Sequence, residues 1–305
     1  MTRSLFTQTE LPFLLVFNNK EEAAYYLNDM EQLVGEKDVL FYPASFRRPY
    51  QIEETDNANV LLRAEVLNRI NSRKKPAVIV TYPEALFEKV VTRKELDKNT
   101  LKVAVNDKIS IDFINEVLFE YEFKRVDFIT EPGEFSVRGG IVDVFSFSND
   151  NPYRIEFFGN EVESIRTFDV ATQLSIETKK KITIIPNVEN SFFQENRESF
   201  LDYISPQTVI FIQNTELLLA DLDKHFGKAE EAFAKLSQEI KRATPEQLFL
   251  NQASFIKRAL DFSVVEWGSK AIFKTSKTFP FHFQPQPSFN KQFDLLLNNL
   301  NENHF

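Results

Sequence analysis

The chain of 305 residues is acidic, with a formal net charge of −9, and it contains no cysteine. The absence of cysteine excludes disulfide frameworks, thiolate catalysis and cysteine-based zinc sites. The acidic balance and the lack of a long basic run argue against a free-standing nucleic-acid-binding protein. No apolar run approaches the roughly 20 residues of a membrane-spanning helix, and Pro12 breaks the amino-terminal apolar run, so we expect a cytoplasmic protein without a signal peptide.

Residues 1–98 alternate predicted strands and helices. Apolar positions at helical spacing predict a helix over Lys20–Val34 and another around Val66. Three continuous apolar runs are typical of buried strands: Leu11–Phe17, Val39–Tyr42 and Ala77–Tyr82. Such alternation implies crossover connections and a parallel sheet, so we predict an α/β domain here.

Residues 99–187 have a different character, which predicts an inserted α+β domain. A strand-like run at Thr100–Val105 precedes a short predicted helix over Ile111–Tyr121. Between Glu131 and Asp169, four of the seven glycines of the chain separate short β-prone runs, a pattern that predicts a small antiparallel sheet. We expect a strand over Ile182–Ile185 to close this domain.

Residues 188–305 return to the first pattern, with a buried strand predicted at Thr208–Ile212. From Leu219 to Ile240, apolar residues recur at alternating spacings of three and four, which predicts a long helix with one apolar stripe. We expect this stripe to pack on its own domain and Thr244-Pro245 to end the helix. A further segment, Phe289–Leu300, is apolar on one side.

The most informative strand is Tyr153–Phe158. Because side chains alternate along a strand, Tyr153, Ile155 and Phe157 share one face. Arg154, Glu156 and Phe158 then share the other. We predict an exposed arginine beside an exposed phenylalanine, a pair of the kind that anchors protein interfaces.

Motifs for catalysis or metal binding are absent from the sequence. A phosphate-binding loop needs G-x-x-x-x-G-K-[ST], but the Gly227-Lys228 pair lies inside the predicted long helix and lacks the first glycine. His225, His282 and His304 are far apart and do not have the spacing of metal ligands. We therefore expect no cofactor, no metal and no catalytic site.

Two basic clusters have a functional and a plain interpretation. Arg47 and Arg48, with Tyr50 nearby, could contact a phosphate backbone, but we favour an exposed loop ending at Pro49 because two arginines make a weak electrostatic footprint. Lys179–Lys181 is interpreted in the same way, as a solvated turn before a strand.

Three stretches carry a resemblance to a known family: EPGEFSVRGGIVDVF, PYRIEFFG and EVESIRTFD. With the flanks FYPASFRRPY, NVLLRAEVLNRI and VTYPEALFEKVV, they resemble the UvrB-homology module at the amino end of the bacterial transcription-repair coupling factors, over residues 11–187. The resemblance implies a RecA-like, motor-type parallel-sheet domain without a phosphate loop, interrupted by a small α+β domain. The expected divisions are 1–98, 99–187 and 188–305, with the first domain incomplete at its amino end.

The resemblance also implies a partner and a site. In that family the inserted domain binds UvrA, the damage-sensing ATPase of excision repair, and the matching positions are Arg138, Arg154 and Phe158. The glycine pair after Arg138 suggests a β-bulge that re-aims this side chain. The alternative is that the arginines pair with a neighbouring glutamate (Glu134, Glu156 or Glu161) and that Phe158 caps a small core.

Two hypotheses of different classes follow. The preferred one is a non-catalytic module that mimics UvrB and recruits UvrA to damage-stalled RNA polymerase in transcription-coupled nucleotide excision repair. The full-length family protein is a DNA-translocating ATPase that also binds RNA polymerase and DNA, whereas for this chain we expect weak or no nucleic-acid binding and no membrane association. The alternative is a degenerate nucleic-acid-dependent ATPase of the UvrB type, and only the α/β pattern of the first domain supports it.

Overall fold

Two sheets of opposite character organise the fold, one parallel and one antiparallel. The structure is a computed structural model. It describes residues 2–45, 57–72, 75–147, 149–187, 197–235, 243–267, 271–274, 277–280, 289 and 292–302. The chain divides into two units, Met1–Phe273 and Lys274–Phe305.

The elements agree closely with the apolar patterns of the sequence. The strands in chain order are β1 (Phe13–Val16), β2 (Val39–Phe41), β3 (Val78–Thr81), β4 (Val90–Val91), β5 (Leu101–Ala104), β6 (Lys124–Arg125), β7 (Glu134–Arg138), β8 (Ile141–Val144), β9 (Tyr153–Phe158), β10 (Glu161–Phe168), β11 (Ser175–Thr178), β12 (Lys181–Ile184), β13 (Arg197–Glu198), β14 (Val209–Ile212) and β15 (Ser263–Glu266). The α-helices are α1 (Thr2–Thr9), α2 (Lys20–Val34), α3 (Asn57–Ser72), α4 (Pro83–Phe87), α5 (Arg93–Lys98), α6 (Ile111–Glu120), α7 (Phe200–Tyr203), α8 (Thr215–Ala234), α9 (Pro245–Leu248), α10 (Gln252–Ala259) and, in the second unit, α11 (Phe293–Glu302). A short 3₁₀ helix spans Glu36–Asp38.

The parallel sheet has the order β15-β14-β1-β3-β2, and every neighbouring pair in it is parallel. The central strand β1 is buried along its whole length, as its continuous apolar run predicted. Strands from both ends of the first unit contribute to this sheet, so the antiparallel sheet lies between them in the sequence. The predicted α/β fold class with a parallel sheet is confirmed. The three-domain division stays a prediction.

Local signals account for the two long helices. Asn19 caps α2 by accepting a hydrogen bond from the backbone N–H of Glu22, and Gly35 ends the helix with a φ of +108°. The predicted apolar stripe of α8 is buried in the main core at Leu219, Leu222 and Phe226. The helix ends at Ala234, before the predicted end at Thr244-Pro245, and Ile240 lies outside the described residues.

The antiparallel sheet has the order β11-β10-β9-β8-β7-β6, with only the short β6–β7 pair parallel. The predicted bulge at Gly139-Gly140 is wrong. Arg138 pairs with Ile141, so the two glycines form a tight hairpin turn, and Gly139 adopts the positive φ of +59° that such a turn needs at its first central residue. The register shift lies instead in β10, between Val162 and Ser164.

Two further features differ from expectation. The predicted strand near Ile182 pairs with β5 in a separate two-stranded sheet instead of joining the larger antiparallel one. Residues Thr2–Thr9, for which no element was predicted, form helix α1. Among the helices that the structure describes, none combines the length and the hydropathy needed to cross a bilayer.

Candidate functional site

The candidate site is the outer face of the antiparallel sheet. On β9, Tyr153, Ile155 and Phe157 are buried on the inner face, while Arg154 and Phe158 lie on the opposite face, as the alternation predicted. Helix α6 packs on the inner face, where Phe119 contacts the buried Phe135 edge-on with ring centroids 5.2 Å apart. The outer face is therefore free to carry polar side chains.

Strand register brings the charged residues of this face together. Asp143 of β8 lies directly opposite Arg154 of β9 and, on its other side, opposite Ser136 of β7. Arg138 is two residues further along β7, so its side chain is on the same face and reaches Asp143 diagonally. Three strands thus place two guanidinium groups around one carboxylate.

Asp143 is the centre of this network, with a side chain only 2% exposed. Its Oδ1 accepts a hydrogen bond from Arg154 Nε at 2.7 Å, and its Oδ2 accepts one from Arg154 Nη2 at 2.9 Å. Arg138 Nη2 donates to the same Oδ2 at 2.5 Å. The hydrogen bond from Arg154 to Asp143 raises the pKa of the Arg154 guanidinium, so this group stays charged at any working pH.

Arg154 itself is less accessible than predicted. Its side chain is 15% exposed, because the guanidinium lies over the buried ring of Phe168, 4.2 Å from the ring centroid, and also donates to Gln173 Oε1 at 3.1 Å. The prediction of an exposed arginine on β9 is therefore wrong, because most of the Arg154 side chain is covered. Arg138 is the more accessible of the two, with a side chain 40% exposed.

Phe158 is an exposed ring, as predicted, with 81% of its surface accessible. It ends β9, immediately before a tight turn in which Gly159 has a φ of +61°. An open groove lined by Lys108, Ser110 and the turn residues runs beside it. The alternative in which Phe158 caps a small core is wrong.

Two of the three glutamates considered as partners for the arginines, Glu134 and Glu156, bind other groups. Glu134 accepts hydrogen bonds from the backbone N–H and the hydroxyl of Thr130 at 2.7 and 2.9 Å. Glu156 accepts one from Ser164 Oγ at 2.5 Å and pairs with Arg166. The arginines instead pair with Asp143, a residue that the sequence analysis did not single out.

A small second core, also missed from the sequence, stiffens the outer face. It consists of the buried side chains of Ile129, Phe145 and Phe168, with Val126 and Val170 packed against them. Phe168 belongs to both the core and the ion network, because its ring lies under Arg154. The rule of strict alternation predicts the position of Phe168 poorly. The apolar residues of β10 recur every three positions, and the register shift between Val162 and Ser164 changes which residues point outward.

The arrangement of charged and aromatic side chains on this face is suited to the recognition of a partner. Arg138, Arg154 and Asp143 form a charged cluster beside an exposed aromatic ring. The same face also carries the Glu156–Arg166 pair and Glu161, which lies opposite Phe158. Within the ranges that the structure describes, no group of three or more metal-ligating side chains occurs. Basic and aromatic side chains of this kind are enriched at protein interfaces.

The other sequence candidates remain apart from this face. Gly227-Lys228 lies inside α8, and His225 of the same helix lies 3.7 Å from Glu84. Lys179 Nζ pairs with Glu177 at 2.5 Å, in agreement with a solvated turn. The remaining candidates, Arg47, Arg48, His282 and His304, lie outside the described residues.

The segment that contains this sheet matches a known protein family. Residues 101–189 match the UvrB interaction domain family. The chain is 33% identical to the transcription-repair-coupling factor of Bacillus subtilis over 189 residues, which is 62% of this chain and 16% of that protein. It is 30% identical to the transcription-repair-coupling factor of Rickettsia bellii over 200 residues, 65% of this chain and 18% of that protein.

A third relative, from Staphylococcus aureus and of the same name, is 29% identical over 185 residues. The matches span less than a fifth of the length of these three relatives, at 16%, 18% and 16%. All of β5 to β12, and with them the outer face, fall within the matched residues 101–189. The chain is therefore similar to a part of the transcription-repair-coupling factors, and its residues 101–189 match the UvrB interaction domain.

Proposed function

We propose that this chain is a non-catalytic recruitment module that binds UvrA through the outer face of its antiparallel sheet. Arg138, Arg154 and Phe158 are the contact residues of the proposal. The observation that carries it is their meeting on one face of a sheet inside the UvrB interaction domain match. In the proposed role the face mimics the corresponding surface of UvrB and brings UvrA to RNA polymerase stalled at damage.

The three side chains have different parts in the proposed interface. Phe158 protrudes and buries its ring in the partner, the type of contact that dominates binding energy at interfaces. Arg138 offers its accessible guanidinium to an acidic group of UvrA. Arg154, which is largely covered, contributes mainly by holding Asp143 and the shape of the surface.

The parallel sheet has a supporting role in this proposal. We infer a RecA-like, motor-type domain that lacks a phosphate-binding loop, with the three-part division at residues 98/99 and 187/188. The Gly-Lys pair inside α8 does not serve a phosphate, because a helix interior has no free backbone N–H groups to offer. Contacts with RNA polymerase and DNA belong, in this proposal, to the longer relatives' other segments.

A competition experiment tests the mimicry. Fluorescently labelled UvrB is bound to UvrA, and unlabelled chain is titrated in while anisotropy reports displacement. We expect the wild-type chain to displace UvrB, and Phe158→Ala to need a concentration about tenfold higher or more. Phe113→Ala, which removes a ring that is also exposed but lies on α6, is the matched control and should compete like the wild type.

Two outcomes would contradict the proposal. A folded wild-type chain that leaves UvrB bound at saturating concentration would show that the two proteins do not share a surface on UvrA. Equal competition by Phe158→Ala and the wild type would move the contact away from the outer face. Release of phosphate from ATP by the purified chain would favour the ATPase alternative.

A further inference from the structure

The outer face presents a second exposed aromatic ring, Phe128, that the family resemblance does not assign. Phe128 lies in the loop between β6 and β7 and is 64% exposed. Its ring contacts the guanidinium of Arg138, which lies 5.1 Å from the ring centroid. Phe128 differs from an isolated exposed ring, because it lies against the more accessible arginine of the outer face.

The loop holds Phe128 in a fixed position. Ser136 Oγ donates to the backbone carbonyl of Asp127 at 3.1 Å, on one side of Phe128. On the other side, Ile129 is buried in the small second core, and the N–H of Thr130 donates to Glu134 at 2.7 Å. The backbone on both sides of Phe128 is thus tied to the sheet, and its ring points outward while its neighbour Ile129 points inward.

The contact with Arg138 orders the two side chains together. Arg138 is held from one direction by Asp143 and packs on Phe128 from another. A cation–π contact at an exposed site is weak by itself. Its consequence for binding is that neither side chain loses much freedom when a partner arrives, which lowers the entropic cost of association.

Phe128 extends the proposed docking surface across the sheet. Arg138 of β7 lies level with Glu156 of β9, two residues before Phe158. Arg138 and Phe158 are therefore separated by about 10 Å across the strands and about 7 Å along them. Each residue is the last of its strand and is followed by a two-residue turn. Strands β7 and β9 run in the same direction, because both are antiparallel to β8, so the two residues lie at the same end of the sheet. Two exposed rings and an arginine therefore lie within a patch that one partner segment can cover.

We propose that Phe128 is a second aromatic anchor for UvrA and acts as a unit with Arg138. This inference rests on the proposed function. The matching region of the partner is an apolar pocket with a carboxylate at its rim, since the ring needs apolar burial and the adjacent guanidinium needs an acidic acceptor. Arg138, whose guanidinium is accessible and lies against Phe128, is the group that would meet an acidic rim of this kind.

Calorimetric titration of UvrA with the wild-type chain and six purified variants tests the inference. The variants are Phe128→Ala, Phe128→Leu, Arg138→Ala, Arg138→Ala/Phe128→Ala, Phe158→Ala and Phe113→Ala. We expect Phe128→Ala to raise the Kd about tenfold. Phe128→Leu keeps apolar contact but loses the ring face, so a rise of roughly threefold is expected. Phe113→Ala is the control for loss of an exposed phenylalanine and should change the Kd by less than about twofold. In Arg138→Ala/Phe128→Ala, the Kd should rise by less than the product of the two single-variant increases, because the two residues act together.

The outcomes separate this inference from the proposed function. Wild-type affinity in Phe128→Ala, together with weak binding by Phe158→Ala, would overturn the role of Phe128 and leave the recruitment surface in place. Absence of UvrA binding by the folded wild-type chain would overturn both. Melting temperatures of Phe128→Ala and Phe113→Ala within about 3 °C of the wild type would exclude unfolding as the cause of any loss.

Discussion

At the scale of single residues, Asp143 is the side chain on which the outer face depends. It is buried, and it accepts hydrogen bonds from two arginines on the two neighbouring strands. A carboxylate in this position offsets the cost of removing the Arg154 guanidinium from water. The shape of the candidate site is therefore set by a residue that need not contact the partner.

We predict that Asp143→Asn lowers the free energy of unfolding by about 2–4 kcal/mol, because the amide leaves a largely buried guanidinium without a counter-charge. Urea denaturation measures this directly. Glu163→Gln is the matched control, since Glu163 is an exposed carboxylate on β10 and its neutralisation should change stability by less than about 0.5 kcal/mol. Equal stability of the two variants would show that the network contributes nothing.

The contacts of Arg154 make its substitution a poor test of binding. Arg154→Ala would leave Asp143 with Arg138 as its only arginine partner and would remove the side chain that covers Phe168. A loss of binding in that variant would mix a changed surface with a weakened sheet. Phe158, which is exposed and makes no comparable contacts, reports on recognition with little effect on folding.

Residue patterns predicted one strand of the site well and its neighbours poorly. The alternation in β9 correctly placed Arg154 and Phe158 on one face, because the period of two is a local property of the backbone. The partner of Arg154 is set by the register of β8 against β9, and no pattern within either strand specifies that register. Asp143 and Phe168 were missed for this reason.

At the scale of elements, the tight turns at the edge of the outer face impose a specific backbone requirement. Gly139 has a φ of +59°, a region that residues with a Cβ disfavour, although the space around it is open. Gly227 is also in open space but lies inside α8 with no positive φ. The same substitution should therefore have opposite effects at the two positions.

We expect Gly139→Ala to destabilise the chain by about 1–2 kcal/mol, since alanine pays the left-handed penalty. Gly227→Ala should stabilise it by up to about 1 kcal/mol, because alanine is the better helix former. Paired urea titrations give both values. A stability change of the same sign in both variants would contradict the turn assigned to Gly139.

The loop after β10 is a second element with a testable local order. Asp169 Oδ1 accepts hydrogen bonds from the backbone N–H and the hydroxyl of Thr172 at 2.7 and 2.8 Å. Both bonds lower the pKa of the Asp169 carboxyl, and the bond from the backbone N–H of Thr172 has the larger effect. The loop also carries Gln173, which accepts a hydrogen bond from Arg154, so its order supports the outer face.

A carboxyl whose pKa is lower in the folded state stabilises the fold above its unfolded pKa of about 3.9, and that contribution is lost as the pH falls through the folded pKa. We therefore predict an Asp169 titration midpoint below about 3.9 by carboxyl-detected NMR. In Thr172→Ala, which removes the hydroxyl bond and keeps the backbone one, the midpoint should move upward. An unchanged midpoint in that variant would remove the hydroxyl from the explanation.

The existence and type of the main elements were the most predictable part of the fold, and boundaries were predictable only where local signals mark them. Helix α2 was predicted with the bounds that the structure shows, because its cap at Asn19 and its terminal glycine are both local signals. The pairing of β12 with β5 was not predicted, since a strand's partner is decided by contacts far away in the sequence. The Gly139-Gly140 pair was assigned to a bulge because a turn and a bulge both favour glycine.

At the scale of the whole molecule, an acidic chain presents arginine and aromatic side chains together on one face of its antiparallel sheet. The net charge of −9 disfavours non-specific attraction to nucleic acid, so the two arginines of the face are directed at a protein partner in our proposal. The parallel sheet is built from strands that precede and follow the antiparallel one in the chain. The face thus belongs to a segment anchored at both ends in a larger fold.

The most direct test of the recruitment surface is a calorimetric titration of UvrA with the wild-type chain, Phe158→Ala and Tyr25→Ala. Tyr25 is an exposed ring on α2 and controls for the loss of aromatic surface elsewhere. We predict that the wild type and Tyr25→Ala bind alike and that Phe158→Ala binds at least about tenfold more weakly, with an unchanged unfolding midpoint. Wild-type affinity in Phe158→Ala would contradict the assignment of the outer face as the UvrA-binding surface.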